Sequence, residues 1–369
     1  MRILFVASPL QGHLLPLIPL ARACRDAGHE VHIASGGFPP DMDGLRTHDI
    51  GARFSLPRSA VRVSLRRPML ARAEIQGRAG HDFVGELFGR ANLDLVGPLT
   101  AVASSVHPDV IVYESLGEAG AVVAGRLSVP SVLQENTLWP AYDLFTAVTT
   151  SSKMCGLNVP APELVLAVTP PSLAGLRATA PSAHEKWLRP VPFSGGGELP
   201  PWLLGERERP LVVVSRSTID GPNDGDPGPA VAAAAAEVDA DFVLVRPGKS
   251  VGALPPNVRS VGRIPLDRVL PHVAAFVHHG GAGSVLSGLV VGVPQLVTPG
   301  AGDRRHNAEL LAKRGAGLAV EAKAITAADL TRLLTDTSLK AAAGEVRDEI
   351  AEMPAPASVV PELEKLVSG

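Results

Sequence analysis

The amino-acid sequence predicts an α/β protein with two Rossmann-like parallel-sheet domains that face a central cleft. Short apolar segments alternate with helical segments, which is typical of parallel sheets covered by helices on both faces. This pattern starts at the first residues, stops at a segment rich in proline and glycine, and then starts again. The chain has 369 residues, 46% of them hydrophobic, which is enough for two such domains. Because open parallel sheets bind ligands beyond the carboxyl ends of their strands, two facing sheets predict a ligand cleft between them.

The first predicted domain covers residues 1–190, and its strands are short apolar runs bounded by turns. The predicted strands are Arg2–Ala7, Glu30–Ala34, Asp109–Tyr113 and Ser131–Gln134. Helices are predicted over Leu14–Ala27, which Gly28 ends, and over Gly117–Leu127.

Residues 191–207 are predicted to be an interdomain linker, because prolines and glycines recur through Pro190–Pro201. The second predicted domain covers residues 208–350. Its predicted strands are Leu211–Ser215, Asp241–Val245, Val258–Val261, Ala274–His278 and Gln295–Thr298. Its predicted helices are Ala230–Glu237, Ala282–Val291 and Asn307–Arg314. Residues 351–369 carry three prolines and then a helical pattern, and we expect this segment to cross back to the first domain.

Charge and composition exclude several classes of protein. The net charge of −3 argues against general nucleic-acid binding, which needs a basic face. The two cysteines, Cys24 and Cys155, lie far apart, which favours a reducing compartment over a disulfide framework. The first residues resemble a buried strand rather than a signal peptide, and no run reaches the roughly 18 apolar residues of a membrane span. We therefore expect a cytoplasmic protein.

A glycine-rich turn in the second domain is the most informative segment. A predicted strand ends at His278 or His279, Gly280, Gly281 and Gly283 follow, and a helix begins near Ala282. Glycines let the backbone approach a ligand closely, and the N–H groups and dipole of a helix amino end favour an anion. His279 can add a hydrogen bond or, when protonated, a charge. The turn therefore suits a diphosphate, and the alternative is a tight turn that needs glycine only for steric reasons.

The segment HHGGAGS (His278–Ser284) is followed by GVPQLVTP (Gly292–Pro299) and GDRRHNAELLAKRGAGLAV (Gly302–Val320). These segments resemble the donor-binding signature of the GT-B family 1 glycosyltransferases. The closest resemblance is to actinobacterial enzymes that transfer deoxysugars to polyketide and enediyne natural products. LFVASPLQGHLLPLIPLARACRDAGHEV (Leu4–Val31) is similar to the first strand, loop and helix of that family. The resemblance implies a GT-B fold, and it is weak between about Gly36 and Val106, where acceptor loops vary.

The resemblance implies a set of residues that bind the nucleotide sugar. His279 is expected to contact the diphosphate, and Ser217, at the end of the first strand of this domain, is expected to lie near it. Backbone or hydroxyl donors to the diphosphate are expected from Gly281, Ala282, Gly283 and Ser284.

Two positions depart from the usual pattern of the family and affect the choice of donor. Asp303 matches the acidic residue that holds sugar hydroxyls, but the next residue, usually Gln, is Arg304. The position that stacks on the base, often Trp, is Arg263, followed by Ile264. Because a guanidinium can also stack on a base, this change is compatible with binding of the base. The resemblance fits a dTDP-linked deoxysugar better than UDP-glucose.

His13 is the candidate catalytic base, since it follows Gly12 in the loop after the first strand and should face the cleft. In the resembling family the matching histidine deprotonates the acceptor hydroxyl, a role that suits an imidazole. Glu114, at the end of another strand of the same sheet, is the candidate partner that orients the ring. The alternatives are a helix-capping His13, a capping or surface Glu114, and Glu118 in place of Glu114.

Trp139, Tyr142 and Phe145 are candidates for an acceptor pocket, because aromatic residues are scarce in this chain; the alternative is that they belong to the core. His278 and His279 do not predict a metal site, since adjacent strand residues point to opposite faces and no third ligand stands at a usual spacing.

The sequence therefore predicts a metal-independent, inverting glycosyltransferase that moves a sugar from a nucleotide diphosphate to a hydroxyl of a hydrophobic natural-product aglycone. The resemblance implies that the donor is dTDP-linked. The nucleotide sugar is a co-substrate, and no resident cofactor is expected. The expected partners are these two small molecules, with no nucleic acid and no membrane span, and the chain is expected to be a monomer or homodimer. The alternatives are a sugar-nucleotide epimerase of the same fold and a non-catalytic nucleotide-binding partner of another transferase.

Overall fold

The computed structural model describes residues 1–39, 42, 44–154, 156–176, 185–218, 225–248 and 251–368. Within these residues the chain forms one seven-stranded and one six-stranded sheet, and every strand pairing is parallel. This architecture confirms the predicted fold class. Cys24 is a buried free thiol, whereas Cys155 lies outside the described residues.

The first sheet has the strand order β3-β2-β1-β4-β5-β6-β7. Its strands, β1 to β7 in chain order, are Arg2–Val6, Glu30–Ser35, Arg46–Asp49, Val110–Glu114, Ser131–Gln134, Leu164–Ala167 and Glu185–Trp187. The helices of this half, α1 to α8, are Gln11–Leu14, Ile18–Asp26, Leu56–Arg66, Pro68–Ile75, His81–Val106, Ala119–Leu127, Ala141–Met154 and Pro171–Ala174.

The second sheet has the strand order β10-β9-β8-β11-β12-β13. Its strands, β8 to β13, are Leu211–Ser215, Asp241–Val245, Val258–Val261, Ala275–His278, Gln295–Val297 and Gly317–Ala319. The helices of this half, α9 to α15, are Gly228–Ala234, Leu266–Val269, Ala282–Val291, Arg304–Arg314, Ala327–Thr335, Thr337–Glu352 and Pro356–Ser368. Short 3-10 turns cover Leu15–Leu17, Pro201–Leu203, Ala235–Glu237, Leu270–His272 and Ala322–Ala324.

The apolar strands lie close to where the sequence predicts them, because each is a buried run of β-branched and leucine residues. The predicted first helix differs in one respect that matters for function. It begins at Gln11 rather than Leu14, and a 3-10 turn over Leu15–Leu17, which contains Pro16, divides it in two. His13 therefore lies within the first helical turn rather than in a loop.

Residues 46–106 contain elements that the sequence analysis did not predict. β3 is an edge strand of polar, mostly exposed residues, so it lacks the apolar run that marks the other strands. After it, α3, α4 and the 26-residue α5 form a helical region on the first domain. α5 packs along α7, and α4 reaches toward the second domain.

The C-terminal helix α15 packs against α2 of the first domain. The N–H of Arg189 donates to the carbonyl of Pro354 at 2.8 Å, just before α15 begins. Val360 and Leu363 share one hydrophobic cluster with Ile18 of α2 and with Val285 of the second domain. This apolar cluster connects the two domains behind the cleft. Among the described helices, none combines the length and apolar character that crossing a bilayer requires.

Candidate active site

The parallel register of the first sheet brings the ends of β1 and β4 to the same edge. Val6 of β1 pairs with Tyr113 of β4, so the segment after β1 lies beside Glu114. His13 Nδ1 is 3.1 Å from Glu114 Oε2. The structure thus brings together the two residues that the sequence assigns as base and partner.

Glu114 is completely buried, and its carboxylate accepts several hydrogen bonds. Oε1 accepts the N–H of Ser8 at 3.1 Å, and Oε2 accepts the N–H of Leu116 at 2.7 Å. Burial on its own raises the pKa of Glu114, but the neighbouring His13 and these N–H groups outweigh burial and lower the pKa. Glu114 is therefore a charged group held by donors, neither a surface residue nor a helix cap.

His13 is 18% exposed at its side chain, and its ring stacks on Phe88 of α5 with centroids 5.4 Å apart. Burial lowers the pKa of His13, but the Glu114 carboxylate and its hydrogen bond outweigh burial, and Asp303 of the second domain adds to their effect. The net result is a raised pKa. Asp303 of the second domain is therefore close enough to His13 to interact with it electrostatically.

Asn136 is a residue of this site that the sequence analysis missed. Its Nδ2 donates to Glu114 Oε2 at 2.9 Å and lies 3.3 Å from His13 Nδ1. Asn136 follows β5, the strand that pairs with β4, so it emerges at the same sheet edge as Glu114. The signal in the sequence was a polar residue just after a predicted strand. Only the strand order shows that this strand, β5, lies beside β4.

Glu118 does not contact His13 in this structure. Its carboxyl group is buried and accepts hydrogen bonds from Thr149 at 2.7 Å and Ser152 at 3.1 Å, both on α7. Burial raises the pKa of Glu118 from 4.5 to about 8, which its hydroxyl partners only partly oppose. Glu118 therefore connects α6 with α7, and Glu114 is the carboxylate beside His13.

The glycine turn joins β11 to α11 at the cleft edge of the second sheet. Gly280 has φ +86°, and a Cβ there would lie 2.9 Å from Val297 Cγ1, so glycine is required for the turn itself. Gly281 caps α11, while a Cβ on Gly283 would meet nothing within 4 Å. Since the first N–H groups of a helix lack partners within it, those of Ala282 and Gly283 are available to an anion.

His278 and His279 have different surroundings. His278 is buried, its Nδ1 accepts the N–H of Gly280 at 3.1 Å, and its Nε2 lies 2.8 Å from Gln295 Oε1. Burial lowers the pKa of His278 to about 4. The pKa of His279 is also held well below its usual range, mainly by burial and to a smaller extent by the charge of Arg304. His279 is therefore neutral here and suited to hydrogen bonding.

Two guanidinium groups converge on Ser217 beyond the end of β8. Arg304 Nη2 donates to Ser217 Oγ at 2.8 Å, and Arg246 Nη2 donates to the Ser217 carbonyl at 2.8 Å. Arg246 directly follows β9 and was not predicted as a site residue. Both charges lie near His279, as their lowering effect on its pKa indicates. This part of the cleft is therefore electropositive. Among the described residues, no group of three or more His, Cys, Asp or Glu could hold a metal ion.

Asp303 lies at the amino end of α12, where Asn307 Nδ2 donates to its Oδ2 at 2.8 Å. Thr137 Oγ1 of the first domain reaches the same oxygen at 3.5 Å. His306 Nε2 lies 3.2 Å from the carbonyl of Leu138, so α12 meets the segment that follows β5.

Arg263 and Ile264 follow β10 of the second domain. Arg263 Nη1 donates to Gln11 Oε1 at 2.6 Å, which joins the two domains. Ile264 is 6% exposed, and its side chain packs in a core cluster of the second domain with Phe276.

The three aromatic candidates for an acceptor pocket divide between two hydrophobic clusters. Trp139 packs in a cluster with Phe88, the residue that stacks on His13. Phe145 belongs to the cluster around the first sheet, and Tyr142 packs against Phe145 with ring centroids 6.4 Å apart. Trp139, which precedes α7, therefore packs in a different cluster from Tyr142 and Phe145, which lie on α7 and contact each other.

Two facing parallel-sheet domains with this cleft define the class of GT-B glycosyltransferases, and solved structures agree. The glycosyltransferase SnogD from Streptomyces nogalater matches with a TM-score of 0.81 and 32% identity over 99% of each chain. The glycosyltransferase SsfS6 from Streptomyces sp. SF2575, complexed with thymidine diphosphate, matches with a TM-score of 0.80 and 26% identity over 99% of each chain.

Sequence comparison identifies the family. Residues 230–366 match the model "Erythromycin biosynthesis protein CIII-like, C-terminal domain". The elloramycin glycosyltransferase of Streptomyces olivaceus is 34% identical over 98% of this chain and 97% of that protein. The chain belongs to the actinobacterial natural-product deoxysugar glycosyltransferases of the GT-B fold. It is thus a hexosyltransferase.

Proposed function

We propose that this enzyme transfers a deoxysugar from a dTDP-linked donor to a hydroxyl of a hydrophobic natural-product aglycone, with inversion at the anomeric carbon. The observation that carries the proposal is the 3.1 Å contact between His13 and Glu114 at a cleft whose other side holds Asp303. The related SsfS6 structure with thymidine diphosphate supports a thymidine nucleotide as donor carrier. The related elloramycin glycosyltransferase supports an aglycone of the natural-product class.

His13 is the proposed base. Its Nδ1 faces Glu114, so Nε2 is the nitrogen that takes the proton from the acceptor hydroxyl. Glu114 holds the ring and stabilises the imidazolium that forms. The acceptor oxygen attacks the anomeric carbon from the face opposite the nucleotide, and the bond from that carbon to the diphosphate oxygen breaks. One displacement of this kind inverts the anomeric configuration.

The leaving diphosphate gains negative charge as the bond breaks. The N–H groups of Ala282 and Gly283, the Ser284 hydroxyl and a neutral His279 are the proposed hydrogen-bond donors to it. Arg304, beside Ser217, adds positive charge close by. Gly281 allows the backbone to approach. In this mechanism the protein supplies the charge stabilisation, and neither a metal ion nor a resident cofactor is required.

The other parts of the donor and the acceptor have separate proposed sites. Asp303 binds sugar hydroxyls, and Arg263, which now donates to Gln11, turns its guanidinium to the thymine base with Ile264 beside it. On the acceptor side, Trp139 and its cluster partner Phe88 form an apolar wall next to His13. Tyr142 and Phe145 support α7 from the sheet side of the first domain.

Replacing His13 with alanine tests the proposal. Transfer should fall by about 10²–10⁴-fold, because general base catalysis is lost, while calorimetric binding of dTDP remains unchanged. The His272→Ala variant, an exposed histidine on the second domain, is the matched control and should behave as wild type. Binding of UDP measured beside dTDP tests the nucleotide, and NMR of the glycoside tests inversion.

Three outcomes would contradict parts of the proposal. Full transfer activity in His13→Ala removes His13 from the chemistry. A wild-type enzyme that binds UDP but not dTDP replaces the proposed donor. Transfer that a chelator abolishes and Mg²⁺ restores rules out the metal-independent mechanism.

A further inference from the structure

The helical region of the first domain contacts the loop that carries Asp303. Glu74, at the end of α4, accepts the N–H of Gly302 through Oε1 at 2.8 Å. The contact crosses the cleft between domains, and Gly302 immediately precedes Asp303. A carboxylate of the first domain is therefore hydrogen-bonded to the backbone beside the proposed sugar-binding residue.

A second contact holds the same two segments together. A Cβ on Gly77 would lie 2.5 Å from the carbonyl oxygen of Gly300 and 3.0 Å from Arg305 Nε. Gly77 also has φ +65°, a conformation that residues with side chains rarely adopt. The turn after α4 thus packs backbone against backbone on the loop before α12.

Glu74 is also electrostatically part of this region. Burial raises its pKa, the Gly302 N–H and the charge of Arg304 oppose that effect, and the charge of Asp303 adds to it. Glu74 therefore lies close enough to Asp303 and Arg304 to interact with both, although it belongs to the other domain.

We infer that Glu74 is a positioning residue for the donor sugar, an inference that rests on the function proposed above. By holding the Gly302 amide, Glu74 sets where Asp303 stands at the start of α12, and so which sugar hydroxyls Asp303 can reach. The first domain thereby takes part in recognising the sugar, while the diphosphate is bound at the separate glycine turn of residues 280–284 in the second domain. Loss of Glu74 should weaken binding of the sugar portion of the donor and leave binding of the nucleotide intact.

Titration calorimetry on the full chain tests this separation, with dTDP and dTDP-L-rhamnose as the two probes. In Glu74→Ala the Kd for dTDP should stay the same, whereas the Kd for dTDP-L-rhamnose should rise about tenfold, the value of one charge-assisted hydrogen bond. Glu74→Gln keeps an oxygen that can accept the Gly302 N–H, so it should show a smaller rise. In transfer assays the donor KM should rise more than kcat falls.

Glu86→Ala is the matched control. Glu86 lies in the same helical region and pairs with Arg67 at 3.2 Å within the first domain, so its loss perturbs the region without touching the cleft contact. Both Kd values should be unchanged in this variant.

The ratio of the two Kd values decides the inference. An unchanged ratio in both Glu74 variants, or the same rise in the control, overturns it. If Glu74→Ala fails to fold in a thermal melt, the ratio in Glu74→Gln decides in its place. A wild-type enzyme that binds neither probe contradicts the proposed function instead, so the two failures are distinguishable.

Discussion

Replacing Glu114 with glutamine removes one charge from the proposed catalytic pair at nearly constant volume. Oε2 accepts from Leu116, Asn136 and His13, and Oε1 accepts from Ser8 at 3.1 Å. A glutamine has a single acceptor oxygen. If that oxygen takes the place of Oε2, the amide NH2 faces the N–H of Ser8, and these two buried donors both lack an acceptor.

The cost of this arrangement can be worked out from general magnitudes. Each buried polar group without a partner costs about 1–3 kcal/mol, so two of them should lower the unfolding temperature while the variant remains folded at room temperature. The loss of transfer activity should be larger than the loss of stability. Without the carboxylate the imidazolium of His13 is not stabilised, and transfer should fall by about 10²–10⁴-fold.

The pH dependence of transfer distinguishes an electrostatic role of Glu114 from a merely structural one, because only the former shifts the pH profile. The Glu114 carboxylate raises the pKa of His13, and the base works only when it is neutral, above that pKa. Removing the carboxylate lowers the pKa, so the acid limb of the kcat/KM profile should move to lower pH while the plateau falls.

The assay is initial-rate transfer over the pH range around neutrality, with dTDP affinity and a thermal melt as controls. Activity within a few-fold of wild type, or a large loss with an unmoved acid limb, would refute the reasoning. The first result would mean that the charge is dispensable, and the second that Glu114 acts only on packing.

Two further predictions concern the glycine turn and a buried carboxyl group. Gly281→Ala places a Cβ 2.7 Å from His279 Nε2, so calorimetric dTDP affinity should fall about tenfold; Gly344→Ala, whose Cβ meets nothing within 4 Å, is the control, and equal effects would contradict the prediction. The pKa of Glu118 is raised from 4.5 to about 8 in the folded state. Between these two pH values the folded state therefore binds more protons than the unfolded state, so the free energy of unfolding falls as pH rises. Glu118→Gln should flatten that slope and stabilise the protein near the upper end by on the order of 2–4 kcal/mol in denaturant titrations, and an unchanged slope would refute it.

Local pattern was sufficient for most strands of the second domain and for α11, whereas β13, α10, α13 and α14 were not predicted. Leu211–Ser215, Asp241–Val245, Val258–Val261 and Ala282–Val291 have the bounds that the sequence predicts. The first two are short and mostly apolar, Val258–Val261 has valine at both ends, and Ala282–Val291 begins at a glycine turn, so neighbouring residues carry the signal. The polar edge strand Arg46–Asp49 was missed, because edge strands need not be apolar.

The residues of the candidate site also divide into those that local sequence predicts and those that it does not. His13, Glu114 and the turn at residues 280–284 were found because each follows a predicted strand or carries a family motif. Asn136 and Glu74 were not found, since their partners are distant in sequence and meet them only after the sheets and domains have packed.

By itself the sequence determined the fold class, the family and the chemical types at the two halves of the site, because apolar periodicity and glycine turns are local properties of the chain. Only the tertiary structure decided that Glu114 rather than Glu118 meets His13, that Trp139 and Phe145 face different clusters, and that α4 reaches the loop before Asp303. These outcomes depend on strand order, helix rotation and domain contact, which involve residues far apart in the chain and leave no periodic pattern within it.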